Sequence, residues 1–174
     1  MLTNVQLIEK LKALGACRDA RDWVKMSDRL TAQQLWEQAE PIHMLWLLRR
    51  TCVSYRSKKL RCLVNCLLEV VSTIDPDRAH WPGERRAERI LSAFADGQAD
   101  TEDVYSEHLC LGSMSGKLHP IMESISKQEA VSRYLTSDMW LRFGANTLDD
   151  LSLKDKEWAR EIILRHFPKP PRLS

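Results

Sequence analysis

The sequence predicts an all-α protein, a single domain built as an irregular array of about eight to nine short helices over residues 1–174. Three observations carry this. Apolar residues recur at three- and four-residue spacing almost throughout, alternating strand patterns flanked by hairpin turns are missing, and helix-capping signatures precede the apolar stretches at several points. No fixed internal repeat indicates a solenoid. Composition agrees with a globular domain: 174 residues, 44% hydrophobic, 29% charged and a formal net charge of +2. A balance so near neutrality excludes a strongly basic nucleic-acid coat or an acidic nucleic-acid mimic, so any electrostatic role is local.

The first helix carries Val5, Leu7, Ile8, Leu11 and Leu14 on its apolar side, and Gly15 stands where a left-handed C-terminal cap belongs. A second, short helix holds Ala20, Trp23 and Val24. The third opens on Thr31-Ala-Gln-Gln34, a capping box, and turns Leu35, Trp36 and Ala39 inward. Pro41 is acceptable at the first turn of the fourth helix, where its missing donor is not needed, and that helix runs through Trp46 to about Cys52. Ser57 caps a fifth helix with the cleanest stripe in the chain: Leu60, Leu63, Val64, Leu67, Leu68 and Val71.

Asp75-Pro76 and Trp81-Pro82-Gly83 interrupt the pattern, which makes Thr73 to Gly83 the expected loop and the one plausible seam between two halves. A sixth helix follows with Ala87, Ile90, Leu91, Phe94 and Ala95, closed by Gly97. Thr101 is the expected cap of a seventh, which bears Val104, His108 and Leu109. Beyond the glycine-rich Gly112 to Gly116, a capping box at Ser126 to Glu129 and the apolar group Met139, Trp140 and Phe143 mark further short helices. Ser152-Leu-Lys-Asp155 opens the last helix, bearing Trp158, Ile162 and Ile163, and Phe167-Pro168-Lys-Pro170-Pro171 ends it.

The five cysteines are odd in number and lie mostly in apolar helical stretches, and Met1 to Gln6 lacks the basic start and apolar run of a secretory signal. The expectation is a reduced, cytosolic protein. The most apolar stretch, Ile42 to Leu48, stops at Arg49-Arg50, well short of the roughly 18 apolar residues of a membrane span, so no membrane association is expected.

Within under forty residues, Leu11 to Leu48 concentrates three tryptophans and a dense aliphatic set, a helical mould suited to binding something else. Nearby, Arg49, Arg50, Arg56, Lys58, Lys59 and Arg61 place six positive charges within thirteen residues, beside Trp46 and Tyr55. Such a cluster suits phosphates or an acidic protein surface, whereas its plainer reading is a helix end complementing its dipole plus a solvated face. With Trp81, which the Pro-flanked loop would expose as an interface anchor, these residues form the candidate partner-binding set.

Catalysis and metal binding have weaker support. There is no serine in a nucleophile elbow, no pair of histidines four apart with a glutamate, and no glycine-rich loop after a strand. Cys62 and Cys66, four apart on a helix, with His108, Cys110 and His119, lack a zinc knuckle, and paired helical cysteines are usually core. Asp96, Asp100, Glu102, Asp103 and Glu107 lack the ligand alternation of a hard-ion loop and suit the N-terminus of the seventh helix. No catalytic residue, metal or cofactor is therefore assigned.

The pattern Leu11-Lys-Ala-Leu-Gly-Ala-Cys17, then Trp23, Leu35-Trp36 and Met44-Leu-Trp46-Leu47, resembles the opening of a helical family of bacterial and phage genomes that carries the label immunity protein. Similar proteins continue with a cysteine-bearing apolar helix, an Arg-rich helix ending in Asp-Gly and a final Arg-x-Phe-Pro-x-Pro. Leu63 to Leu68, Glu84 to Gly97 and Leu164 to Pro170 look like these segments. The likeness covers most of the chain through core and capping residues. It departs at Ile42-His43, where the family usually has Gly-Asp. The resemblance implies a non-enzymatic inhibitor that docks on a toxin or defence enzyme, as an immunity protein or an anti-CRISPR does. The alternative is a nucleic-acid-binding accessory protein using the 49–61 segment. Nothing in the sequence sets an oligomeric state.

Overall fold

The computed structural model describes residues 3–51, 58–74, 82–100, 103–104 and 152–173. Among these residues there are seven α-helices and no strand: α1 (Asn4–Ala13), α2 (Arg18–Met26), α3 (Ala32–Gln38), α4 (Pro41–Thr51), α5 (Lys58–Ile74), α6 (Pro82–Ala95) and α7 (Leu153–His166). The all-α class is observed. The further helices expected between Thr101 and Phe143 lie outside the described residues, apart from helical Asp103 and Val104.

The caps show why the helices start where they do. Gln34 N donates to Thr31 Oγ1 at 3.3 Å and Thr31 N donates to Gln34 Oε1 at 2.9 Å, the reciprocal box expected from the sequence. Thr3 and Gln6 make the same box ahead of α1, unanticipated in the sequence reading. Ser152 caps α7 through a 3.2 Å bond from Asp155 N. Ahead of helical Asp103 and Val104, Asp103 N donates to Asp100 Oδ1 at 3.1 Å and Asp100 N to Asp103 Oδ2 at 2.9 Å, a reciprocal pair of aspartates. Thr101, the expected cap there, lies outside the described residues. Gly15 and Gly97 take φ +82° and +78°, as their capping positions require.

Helix α5 is the central element, packed on both α6 and α7, while α7 also packs on α4 and α1 on α2. The main core joins Met44, Leu45 and Leu48 of α4 to Leu60, Leu63, Val64 and Leu67 of α5, Leu91 and Phe94 of α6, and Ile162 and Ile163 of α7. It therefore draws on both sides of residues 75–81. Each such side chain contributes roughly 1.5–3 kcal/mol by leaving water. A second cluster, Leu11, Ala16, Val24 and Leu35, belongs to α1–α3, and Trp23, Trp46 and Leu47 pack against both. Arg160 of α7 donates to Ala39 O at 3.1 Å and fixes the α3–α4 corner against α7.

Three sequence expectations change. Val5 is 72% exposed, because it stands about 120° around α1 from buried Leu11. Trp158 is 40% exposed, about 100° from buried Ala159, and its ring carries Lys154 Nζ at 4.5 Å from the centroid. The ends of the loop expected over Thr73 to Gly83 are helical: α5 continues through Ile74, and Pro82 is accepted in the first turn of α6, while residues 75–81 lie outside the described residues. Ser57, the expected cap of α5, lies outside the described residues.

Candidate functional site

A cavity of about 440 Å³ lies where α1–α4 meet the C-terminal segment, with Leu11, Trp23, Leu35, Trp36, Trp46 and Pro171 among its walls. Its volume is within the 300–1,000 Å³ typical of small-molecule sites. Helix α7 ends at His166, just before Phe167-Pro168, the chain bends at 168–169, and residues 167–173 run back toward α1 and α3. Three side chains pin this strap by its carbonyls. Trp36 Nε1 donates to Phe167 O at 2.9 Å, Gln33 Nε2 to Pro168 O at 2.9 Å, and Lys10 Nζ to Leu173 O at 2.8 Å.

His43 is the titratable side chain on the inner wall, with Arg172 toward solvent on the strap. Burial pushes the His43 pKa below its ordinary value, against a smaller opposing pull from Glu40 and Asp19, which favours the uncharged ring. Among the described residues it meets no hydrogen-bond partner.

The basic set divides between two environments. Arg50 lies over the Trp46 indole, 5.9 Å from the centroid, so Trp46 forms cavity wall and also carries a cation. Arg49 beside it is half-buried, and burial together with Arg50 lowers its guanidinium pKa without discharging it. Both belong to the last turn of α4, where the dipole favours cations. Lys58 and Lys59 are exposed in the first turn of α5, where the dipole disfavours them, so dipole compensation does not account for these two. Arg61 turns toward α6, its guanidinium 5.3 Å from the Phe94 ring centroid and close over Gly97. Tyr55, Arg56 and Trp81 lie outside the described residues.

A further polar cluster escaped the sequence reading. Cys62 Sγ is 3.9 Å from His166 Nδ1, His166 Nε2 is 2.6 Å from Glu69 Oε2, and Arg165 Nη1 is 2.6 Å from Glu69 Oε1. The order thiol, imidazole, carboxylate is that of a nucleophile, base and orienting acid. Other features oppose that chemistry. Burial pushes the Cys62 thiol pKa up, and its S–H also faces the His166 carbonyl oxygen at 3.7 Å. The C-terminus of α7, which brings His166 here, presents carbonyls that disfavour a thiolate. The contacts join α5 to α7 through polar side chains. Cys62, Cys66 and Glu69 share one face of α5, a visible signal, but nothing local indicates that His166 meets them. His108, Cys110 and His119 lie outside the described residues, and among those described no group of three His, Cys, Asp or Glu side chains is arranged to hold a metal ion.

Comparison with protein-family models, with curated proteins and with solved structures finds no match. The site is therefore read from its own geometry. Among the described residues no helix is long and apolar enough to cross a membrane. What the arrangement offers chemically is recognition: apolar aromatic walls, an imidazole, and cations held beside one of the tryptophans.

Proposed function

We propose that this chain is a non-enzymatic, cytosolic binding module of a bacterial or phage conflict system, acting by docking on an effector protein as an immunity protein or an anti-defence inhibitor does. The observation that carries this reading is the Arg50–Trp46 stack, which joins a cationic face to the tryptophan-rich α1–α4 region. Arginine and tryptophan dominate the energetics of protein interfaces, and an arginine held over an indole loses less freedom on binding. The exposed Lys58 and Lys59, at a helix start that gains nothing from them, extend the face toward an acidic partner surface. The resemblance of the tryptophan pattern to the immunity-protein family supports the same class.

Nucleic-acid binding through residues 49–61 is the alternative, and it is weakened because Arg61 is engaged on Phe94. The test is capture of partners by the tagged protein from nuclease-treated host lysate at low and moderate salt, beside a variant carrying Arg50→Glu, Lys58→Glu and Lys59→Glu. A single stoichiometric protein that survives moderate salt and is lost from the variant is expected. Recovery of nucleic acid alone, with affinity falling steeply as salt rises, would replace this reading by the alternative.

A further inference from the structure

We propose that the cavity walled by Trp23, Trp36 and Trp46 is a binding site for a small, uncharged aromatic ring compound bearing one hydrogen-bonding group, which pairs with His43. This goes beyond protein docking on the cationic face and does not depend on it.

The size of the chamber sets the scale. An apolar cavity of 150 Å³ accepts benzene, and this one, at about 440 Å³, has room for a fused two- or three-ring compound. Its walls select for the same chemistry. Indole faces favour planar rings in offset or edge-on contact, and Leu11 and Leu35 supply apolar surface between them. His43 and Arg172 are the polar side chains on otherwise apolar walls, so solvent over the rest of the surface has few partners and an apolar ring can replace it.

The strap argues for a small molecule over a peptide. A helix or strand laid into this groove would have to displace residues 167–173, which Trp36, Gln33 and Lys10 hold by three hydrogen bonds. A compact ring does not require that displacement.

His43 gives the site its polar selectivity. Its half-buried imidazole lines the cavity and, among the described residues, meets no side-chain hydrogen-bond partner, so its ring nitrogens are free to pair with a bound group. The Trp36 indole N–H is already committed to Phe167 O. Glu40 and Asp19 act electrostatically on the His43 ring, while the cation on the strap, Arg172, is exposed to solvent, so the group that complements His43 itself is neutral, a hydroxyl or an amide.

The probes are 2-naphthol, naphthalene and 2-naphthoate, titrated into the full chain by calorimetry and followed through the ¹⁵N-indole resonances of the tryptophans. One-to-one saturable binding of 2-naphthol, tighter than either comparator and shifting the Trp23 and Trp46 signals, is expected. His43→Leu should weaken 2-naphthol about three- to tenfold while sparing naphthalene, the loss appropriate to one hydrogen bond. Ala20→Phe, which fills the cavity from α2, should abolish binding while the urea midpoint confirms folding, with Ala32→Phe in its place if the first variant does not fold. Absence of saturable 2-naphthol binding, persistence of binding in a folded filled variant, or a preference for 2-naphthoate would overturn the proposal.

Discussion

The strap depends on Trp36, and Trp36→Phe tests how much. Its side chain is 4% exposed, and its indole N–H reaches Phe167 O at 2.9 Å, close to the optimum for this type of bond. Phenylalanine retains most of the apolar wall but has no donor. Loss of the bond removes about 1 kcal/mol, and the Phe167 carbonyl, left part-buried without its partner, adds about another 1 kcal/mol. Trimming the indole to a benzene ring removes about three buried heavy atoms, a further 1–2 kcal/mol from transfer and residual space. The expected total is about 3–4 kcal/mol. At an m-value of about 2 kcal/mol/M it would lower the urea midpoint by roughly 1.5–2 M without changing the slope. Carboxypeptidase digestion supplies the second readout. Removal of Ser174, Leu173 and Arg172 should accelerate in the variant, because a freed strap exposes its end to the enzyme. A loss under about 1 kcal/mol, with digestion unchanged, would refute the assignment of Trp36 as the anchor of the C-terminal segment.

Gly15 and Gly97 both hold positive φ, so Gly15→Ala and Gly97→Ala should each cost about 1 kcal/mol in backbone strain. Gly97→Ala should cost more, since a Cβ there would come within 2.6 Å of Arg61 Nη1 and push the guanidinium from Phe94, whereas Gly15 has open space; chemical denaturation of the two variants measures the difference. The Glu69 carboxyl is held below its ordinary pKa of 4.5, first by its hydrogen bond with His166 and also by Arg165. Folding therefore favours the ionised form, giving stability that is fully present above the unfolded-state pKa and lost as pH falls through the lower native value. Glu69→Gln should accordingly flatten the acid limb of the stability–pH curve below about pH 4.5, read from thermal midpoints at fixed ionic strength. Ile163→Ala, at a site with no exposure, should destabilise by about 2–5 kcal/mol, while Leu153→Ala, at 83% exposure, should stay within about 0.5 kcal/mol; urea midpoints separate them.

Local signals were legible because their physics is local. The Thr31 and Ser152 caps, the glycine stops at Gly15 and Gly97 and the stripe on α5 each depend on residues within about two helical turns. The errors fall where the pattern is incomplete. Val5 and Trp158 each stand within the first two turns of a helix and off the buried stripe, so apolar character alone assigns them wrongly to the core. The cavity was half legible. The density of tryptophan over residues 23–46 marks a binding mould, but its outer wall comes from contacts 131 and 163 residues apart in sequence, Trp36 with Phe167 and Lys10 with Leu173. The Cys62–His166 approach, at a separation of 104, is of the same kind.

Helix α4 shows what the sequence carries without announcing it. A surface helix needs one apolar stripe, yet Pro41 to Leu48 is apolar nearly all round, which ordinarily denotes a helix enclosed on every side. Met44, Leu45 and Leu48 satisfy the main core, and that leaves Trp46 and Leu47 as surplus. Both remain half-buried, packed against the two clusters and lining the cavity. Folding uses both, because they tie the main core to the α1–α3 cluster, and polar side chains there would lose packing on two sides. What remains of Trp46 on the cavity wall, with Arg50 over its ring, is the part the proposed recognition would use.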